Sequence, residues 1–280
     1  MVDIIRLKKL IDEADAIVIG AGAGLSEAAG YHYSGEKFQN DFKDYIEKYK
    51  FTDLYTSSFY SFHTLEEKWA YWVKHIYFSY YENQKNDLYE KLYDLVRCKN
   101  YFVITSNTDG KFIQNGFDRK CVFEVQGRYS DLQCATPCHN KLYYNQDFVF
   151  KALESIDKDL KIPSYMVPKC PVCGKEMEVN LRCDDRFVED DFWYDSEKRY
   201  EEFLNRYRDQ KILFLEFGVG FNTPGIIRFP FEKEVFMNHQ AMLIRFNKKY
   251  SSVPLEIQKR SMSISEDIAF VIHSIFDMKL

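Results

Sequence analysis

The chain has 280 residues, enough for one large domain or two modest ones with a sizeable buried core. Hydrophobic residues make up 46%, aromatic residues 17% and charged residues 29%, which excludes a mainly disordered chain. Lys and Arg number 38 against 43 Asp and Glu, a net charge of −5 that excludes a general nucleic-acid coat, and seven cysteines are too few and too odd in number for a disulfide scaffold.

Met1 to Leu10 carries no long apolar run ahead of its charges, so no secretory signal is expected. No window of about 18 uncharged apolar residues occurs, so no membrane-spanning helix is expected either. The expected setting is cytoplasmic and reducing, where spaced cysteines point to metal or redox chemistry.

Residues 3–13 carry the apolar spacing of an amphipathic helix. Ala16-Ile-Val-Ile19 is an unbroken apolar run, as in a strand buried on both faces of a parallel sheet. Glycines follow at once, and a helix is expected to start near Ser26. Residues 36–98, dense in Tyr, Phe, Trp, Lys and Glu, read as several helices. Tyr101–Thr105 reads as a second buried strand, running into Ser106-Asn-Thr-Asp-Gly110. Cys121–Val125 reads as a third, ending at Gln126-Gly127. Residues 131–180 hold four of the seven cysteines and four of the seven prolines, which marks an inserted module. Ile212–Phe217, ending in Gly218-Val-Gly220, and Ala241–Phe246, ending at Asn247, read as the fourth and fifth strands. Ser265–Phe276 has a helical pattern. Apolar strands alternating with helices predict an α/β class, a Rossmann-like doubly wound parallel sheet, with ligands outside the carboxyl ends of the strands.

Gly20-Ala-Gly-Ala-Gly-Leu-Ser26 suits the approach of a nucleotide phosphate, since glycines admit a close backbone and the next helix offers N–H groups. The third position of a G-x-G-x-x-G motif is Leu25 or Glu27, depending on the frame, which speaks against a standard hydride-transfer enzyme. A merely tight strand–helix turn is the other reading. Cys134-x3-Cys138 and Cys170-x2-Cys173, separated by 31 residues, form a set suited to one structural zinc, with four thiolates leaving no open position. His139 is an alternative fourth ligand. Cys98, Cys121 and Cys183, outside any motif spacing, read as buried thiols. His32, His63, His75, His239 and His273 read as structural or solvent-facing. Tyr55, Phe59, Tyr60, Trp69, Tyr71 and Trp72 read either as ordinary small-domain core or as an apolar lining for an acceptor.

Taken in order, these motifs resemble those of the sirtuins. Gly22-Ala-Gly-Leu-Ser26 with Gly30 is similar to G-A-G-x-S-x-x-x-G, and Thr105-Ser-Asn-Thr-Asp-Gly110 to T-Q-N-I-D-G. Glu124-Val-Gln-Gly127 lies where the family has x-x-H-G, and the cysteine pairs lie where its zinc module belongs. Leu181-Arg182, Gly218-Val-Gly220 with Pro224, and Asn247 resemble later blocks. Three departures stand out: Gln126 replaces the catalytic His, Tyr31-His-Tyr-Ser-Gly35 replaces P-D-F-R, and Cys183-Asp-Asp-Arg-Phe replaces the segment that guides an acyl-lysine peptide. A carboxamide cannot take the proton an imidazole takes near neutral pH. The pattern most resembles the macrodomain-linked sirtuins (class M).

That resemblance implies transfer of ADP-ribose from NAD to a protein, with Asn107, Asp109 and Gln126 catalytic. It implies NAD contacts from Gly22, Ala23, Gly24, Leu25, Ser26, Ser106, Asn107, Asp109, Gln126, Gly218, Val219, Gly220 and Asn247. It also implies one structural zinc, a lipoylated glycine-cleavage H-like carrier as acceptor and a macrodomain hydrolase as a further partner, without membrane or nucleic acid. The implied domains are an NAD-binding sheet over 1–30, 96–130 and 181–280, a helical part over 31–95 and a zinc part over 131–180. A deacylase of unusual acyl specificity and an NAD- or ADP-ribose-sensing module are the competing readings.

Overall fold

The computed structural model describes residues 2–82 and 84–277. Residues 1, 83 and 278–280, inside the sequence-based domain ranges, lie outside them. Nine strands are described: β1 Ala16–Ala21, β2 Asn100–Thr105, β3 Val122–Glu124, β4 Gly127–Cys134, β5 Tyr143–Tyr144, β6 Met177–Leu181, β7 Ile212–Phe217, β8 Met242–Phe246 and β9 Ser261–Ile264. Six form one sheet in the order β3-β2-β1-β7-β8-β9, every adjacent pair parallel. The chain reverses direction of growth across this sheet between β3 and β7, so β1 stands at its centre with β2 and β7 on either side.

Two compact units divide the chain, residues 1–30, 85–126 and 191–280 in one and 31–84 and 127–190 in the other. In the first unit every residue of β1 is buried, as its apolar run requires. Ala16, Val18, Phe102, Ile104, Ile212, Phe214 and Leu243 share a core with Tyr200 and Tyr207 and with Phe231 and Val235 of helix 228–237. Each fully buried aromatic here, such as Phe214 or Phe231, contributes about 1.5–3 kcal/mol through its lost contact with water. Helix 87–96 packs on helix 268–277, with Leu88, Tyr89, Leu92 and Val96 buried, and so belongs to this unit rather than with the helices before it.

The second unit holds a three-stranded antiparallel sheet, β5-β4-β6. It takes residues 127–130 and 181–190, which the sequence reading groups with the NAD-binding sheet, because β4 starts at Gly127 and pairs with β6 as far as Leu181. Helix 65–76 starts at Thr64, whose Oγ1 accepts from the Glu67 N–H, the cap expected of a T-x-x-E sequence. Its Trp69 and Tyr71 are fully buried in two neighbouring clusters, while Tyr55 and Phe59 are exposed, so the six aromatics do not form one lining. His75 is buried between the Tyr71 and Tyr129 hydroxyls, and burial lowers its pKa to about 3, a structural role. Among the described residues no helix is long and apolar enough to cross a membrane.

Candidate active site and metal centre

The strand ends of the first unit gather the polar residues singled out above. The turn after β1 leads into helix 23–28, which starts at Ala23 rather than Ser26 because Gly22, in extended conformation, is its N-cap. After β2 the chain turns sharply. Thr105 Oγ1 donates to Ala21 O (3.0 Å) and accepts from the Asn107 N–H (3.0 Å), which brings Asn107 and Asp109 beside that turn.

There three buried side chains meet. Asn107 Nδ2 donates to Gly22 O and to Ser26 Oγ, both at 3.1 Å. Ser26 Oγ donates to Asp109 Oδ2 at 2.6 Å, and the Lys111 N–H donates to Asp109 Oδ1 at 3.2 Å. Burial raises the Asp109 pKa, and the hydrogen bonds from Ser26 and from the Lys111 amide, with the Lys111 charge, offset this only in part. A buried carboxylate at a strand end, held by fixed donors, is what stabilisation of a developing positive charge requires. Gln126 follows Val125, whose N–H donates to Thr105 O (3.1 Å) and whose carbonyl accepts from Trp193 Nε1 (3.1 Å). Gln126 is half-buried, and among the described residues its side-chain amide has no hydrogen-bond partner.

The glycines of the first turn have a further use. Gly22 N–H donates to Phe217 O (3.0 Å) and Gly24 N–H to Gly218 O (3.1 Å), so the turns after β1 and β7 touch backbone to backbone. A Cβ on Gly24 would lie 2.7 Å from Gly218 Cα, and one on Gly22 2.9 Å from Gly218 O. Gly218 adopts φ +61°, and a Cβ there would lie 2.5 Å from Gly24 Cα. Gly218→Ala therefore combines a left-handed backbone with a clash that no side-chain rotation relieves. It is expected to destabilise the protein by about 3 kcal/mol, read as a drop in the urea midpoint.

Asn247 closes the far side. Its Nδ2 donates to Val219 O (2.9 Å), and its Oδ1 accepts from the Lys249 and Tyr250 N–H groups at 3.0 and 2.9 Å. Beneath it Arg245, fully buried, pairs through two nitrogens with Glu216 Oε1 and Oε2 at 2.7 and 2.9 Å and reaches Glu232 at 2.8 Å. Arg245 also donates to Ser252 O (2.6 Å), so a doubly bonded ion pair anchors the loop that carries Asn247.

The second unit holds a four-cysteine cluster. The thiol sulfurs of Cys134, Cys138, Cys170 and Cys173 all lie within 4.8 Å of one another. Cys134 and Cys173 are 3.6 Å apart, and Cys138 and Cys170 3.7 Å. Sulfurs at 2.3 Å around a tetrahedral zinc sit about 3.8 Å from each other, whereas a disulfide needs about 2.05 Å, so the cluster fits zinc. His139 is outside the four. Its Nδ1 accepts from the Lys141 N–H (3.1 Å), which leaves the ring proton on Nε2, 3.3 Å from Cys170 Sγ. Desolvation pushes the Cys170 thiol up, but the Cys173 and Val172 N–H groups and His139 outweigh it and bring its pKa down to about 6.

No protein-family model matches the chain. A protein ADP-ribosyltransferase of Staphylococcus aureus (strain Mu50) is 39% identical over 267 residues, covering 95% of this chain and 84% of that protein. A probable bifunctional ADP-ribose hydrolase/ADP-ribosyltransferase of Fusarium oxysporum f. sp. cubense is 31% identical over 91% of this chain, which spans 44% of that longer protein. Among solved structures, a Sir2 homologue in complex with NAD superimposes with a TM-score of 0.58 at 17% identity, over 97% of this chain and 91% of that one. The chain belongs to the protein ADP-ribosyltransferases and has the sirtuin fold.

In this transferase several features differ from the sequence expectations. Cys98 and Cys183 are exposed and Cys121 is half-buried, because they fall in the turn after helix 87–96, just past β6 and in the short turn 119–121 just before β3. Sequence reasoning also missed Tyr89, whose hydroxyl is 3.2 Å from Ser26 Oγ, and the buried lysine Lys111. The Glu216–Arg245 pair left a signal: each interrupts an apolar strand one residue before its end, and the two are register partners across β7 and β8.

Proposed function

We propose that the transferase moves the ADP-ribose of NAD onto a lipoylated carrier protein of the glycine-cleavage H type, with Asn107, Asp109 and Gln126 at the reacting ribose. The observation that carries this reading is the buried Asn107–Ser26–Asp109 cluster at the strand ends, with a carboxamide, Gln126, where a deacylating sirtuin has its imidazole. The pyrophosphate is assigned to the Gly22–Ser26 turn. The amides of Gly22 and Gly24 are already engaged there, so the exposed Ala23 end of the helix is the part that remains for it. Gly218-Val-Gly220 and Asn247 border the same strand ends and are assigned to the adenosine side, and Ser106 to the nicotinamide side.

In the reaction the bond from ribose C1′ to the nicotinamide nitrogen breaks and nicotinamide leaves with the bonding electrons. The acceptor side chain forms the new bond at C1′ and gives up one proton. The Asp109 carboxylate stabilises positive charge at C1′ and is the base for that proton. Gln126 holds ribose hydroxyls by hydrogen bonds and moves no proton. Four cysteines gathered as a zinc set and three outside it as thiols fit a reducing, cytoplasmic setting, and the bifunctional Fusarium relative supports a hydrolase partner that removes the mark.

The test uses purified protein, NAD labelled in its adenosine half, and the carrier with and without lipoate. Label on the lipoylated carrier, with nicotinamide released one for one, is the expected result. Robust deacetylation of acetyl-lysine peptides, or tight NAD binding without turnover, would overturn it.

A further inference from the structure

The hydroxyl of Ser26 lies 2.6 Å from Asp109 Oδ2, 3.1 Å from Asn107 Nδ2 and 3.2 Å from the Tyr89 hydroxyl. A serine hydroxyl has one proton to give and two lone pairs to receive. An ionised carboxylate can only accept, so the Ser26 proton goes to Asp109. The Asn107 amide nitrogen can only donate, so it fills one lone pair. The remaining lone pair faces Tyr89, which makes the phenol the donor. Every direction at Ser26 is thereby fixed, and the last one is fixed by Tyr89.

Tyr89 lies on helix 87–96 with no exposed surface, and its ring meets Phe112 edge-on, with centroids 5.1 Å apart. Phe112 stands in helix 111–114, directly after Asp109 and Gly110. A side chain this deep cannot touch NAD or an acceptor, so any part it has in the reaction runs through its neighbours. We propose that Tyr89 is a positioning residue for ADP-ribose transfer, whose O–H locks the Ser26 hydroxyl so that Ser26 donates to Asp109 while receiving from Asn107. The inference rests on the role given above to Asp109.

Tyr89→Phe removes the O–H and keeps the ring against Phe112. It is expected to lower kcat about 10-fold with KM for NAD and melting temperature nearly unchanged, the size of one lost hydrogen bond. In a Ser26→Ala background the same change should do nothing further, since the route to Asp109 is already cut. Asp109 is faced by the Ser26 hydroxyl, the Lys111 amide and the Lys111 charge, and Tyr89 bonds Ser26 rather than the carboxylate, so of these groups only Ser26 changes in these variants. A carboxyl-carbon NMR titration, assigned with Asp109→Asn, reads the coupling without any turnover. Its Asp109 midpoint should rise in Tyr89→Phe, because the carboxylate's donor is loosened. An unmoved midpoint, or Tyr89→Phe and Ser26→Ala effects that multiply, overturns the relay. A moved midpoint in a protein that labels no carrier would instead retain the relay and remove the acceptor assignment.

Discussion

Asp109→Asn is expected to cut ADP-ribose transfer by about 10²–10⁴-fold, measured as label on the acceptor per enzyme, with the protein still folded. Two donors converge on this carboxylate, Ser26 Oγ on Oδ2 and the Lys111 N–H on Oδ1. An asparagine offers one acceptor oxygen and one donor nitrogen, so one donor is left facing another donor. The negative charge at the strand end is lost at the same time. The pH profile checks the same point. Burial, the largest effect on this carboxyl, raises its pKa, with Ser26 and Lys111 opposing. Activity that needs the ionised form therefore falls as pH drops through a midpoint above the ordinary carboxylate range near 4. Asp109→Asn should abolish that acid limb. The stability sign runs the other way. With the folded pKa above the unfolded one, the carboxyl's contribution to stability is present below the unfolded pKa and is lost as pH rises through the folded pKa. At neutral pH the buried charge costs stability, which limits how far the substitution can destabilise the fold.

The parallel sheet was readable because its strands are buried on both faces. Ile17, Val18 and Ile19 of β1 and Leu213, Phe214 and Leu215 of β7 leave no polar position to blur the run, and the helices between them are long enough to cross over. β9 escaped because Ser261-Met-Ser-Ile264 is an edge strand with only Ile264 buried, so it lacks that run. The antiparallel sheet escaped for another reason. The whole of β4 is buried, yet it carries Arg128, Ser130, Asp131 and Gln133; Arg128 pairs with Asp131 within the strand at 2.6 Å, while Gln133 is satisfied by partners far along the chain. Gln133 bonds Asn180, Glu178 and the backbone of Arg186 and Val188. Motif order placed Asn107 and Asp109 at strand ends together. Pattern alone could not pair Ser26 with Tyr89, 63 residues away, because neither residue is unusual where it stands in its helix.

Cys170→Ser, or removal of metal by a strong chelator, is expected to unfold residues 127–190, seen as loss of their slow amide exchange and of one bound zinc by mass. A structural zinc contributes about 10–16 kcal/mol to folding in small zinc modules, comparable with or above the whole stability of a typical domain at about 5–15 kcal/mol. The module has little to replace it. Its strands β5 and β6 are only two and five residues long, and Cys134 ends β4 just before the loop that carries Cys138. Cys134 and Cys170 are themselves buried with Val149, Met177 and Val179, so an empty cluster would leave thiolates facing an apolar neighbourhood. His139 separates ligation from support. Its Nε2–H points at Cys170 Sγ from outside the four sulfurs, so His139→Gln should keep one zinc per chain while releasing it faster to a chelator, about 10–100-fold in affinity. Loss of the zinc itself in His139→Gln would show that the histidine is a ligand and that one of the four cysteines is not.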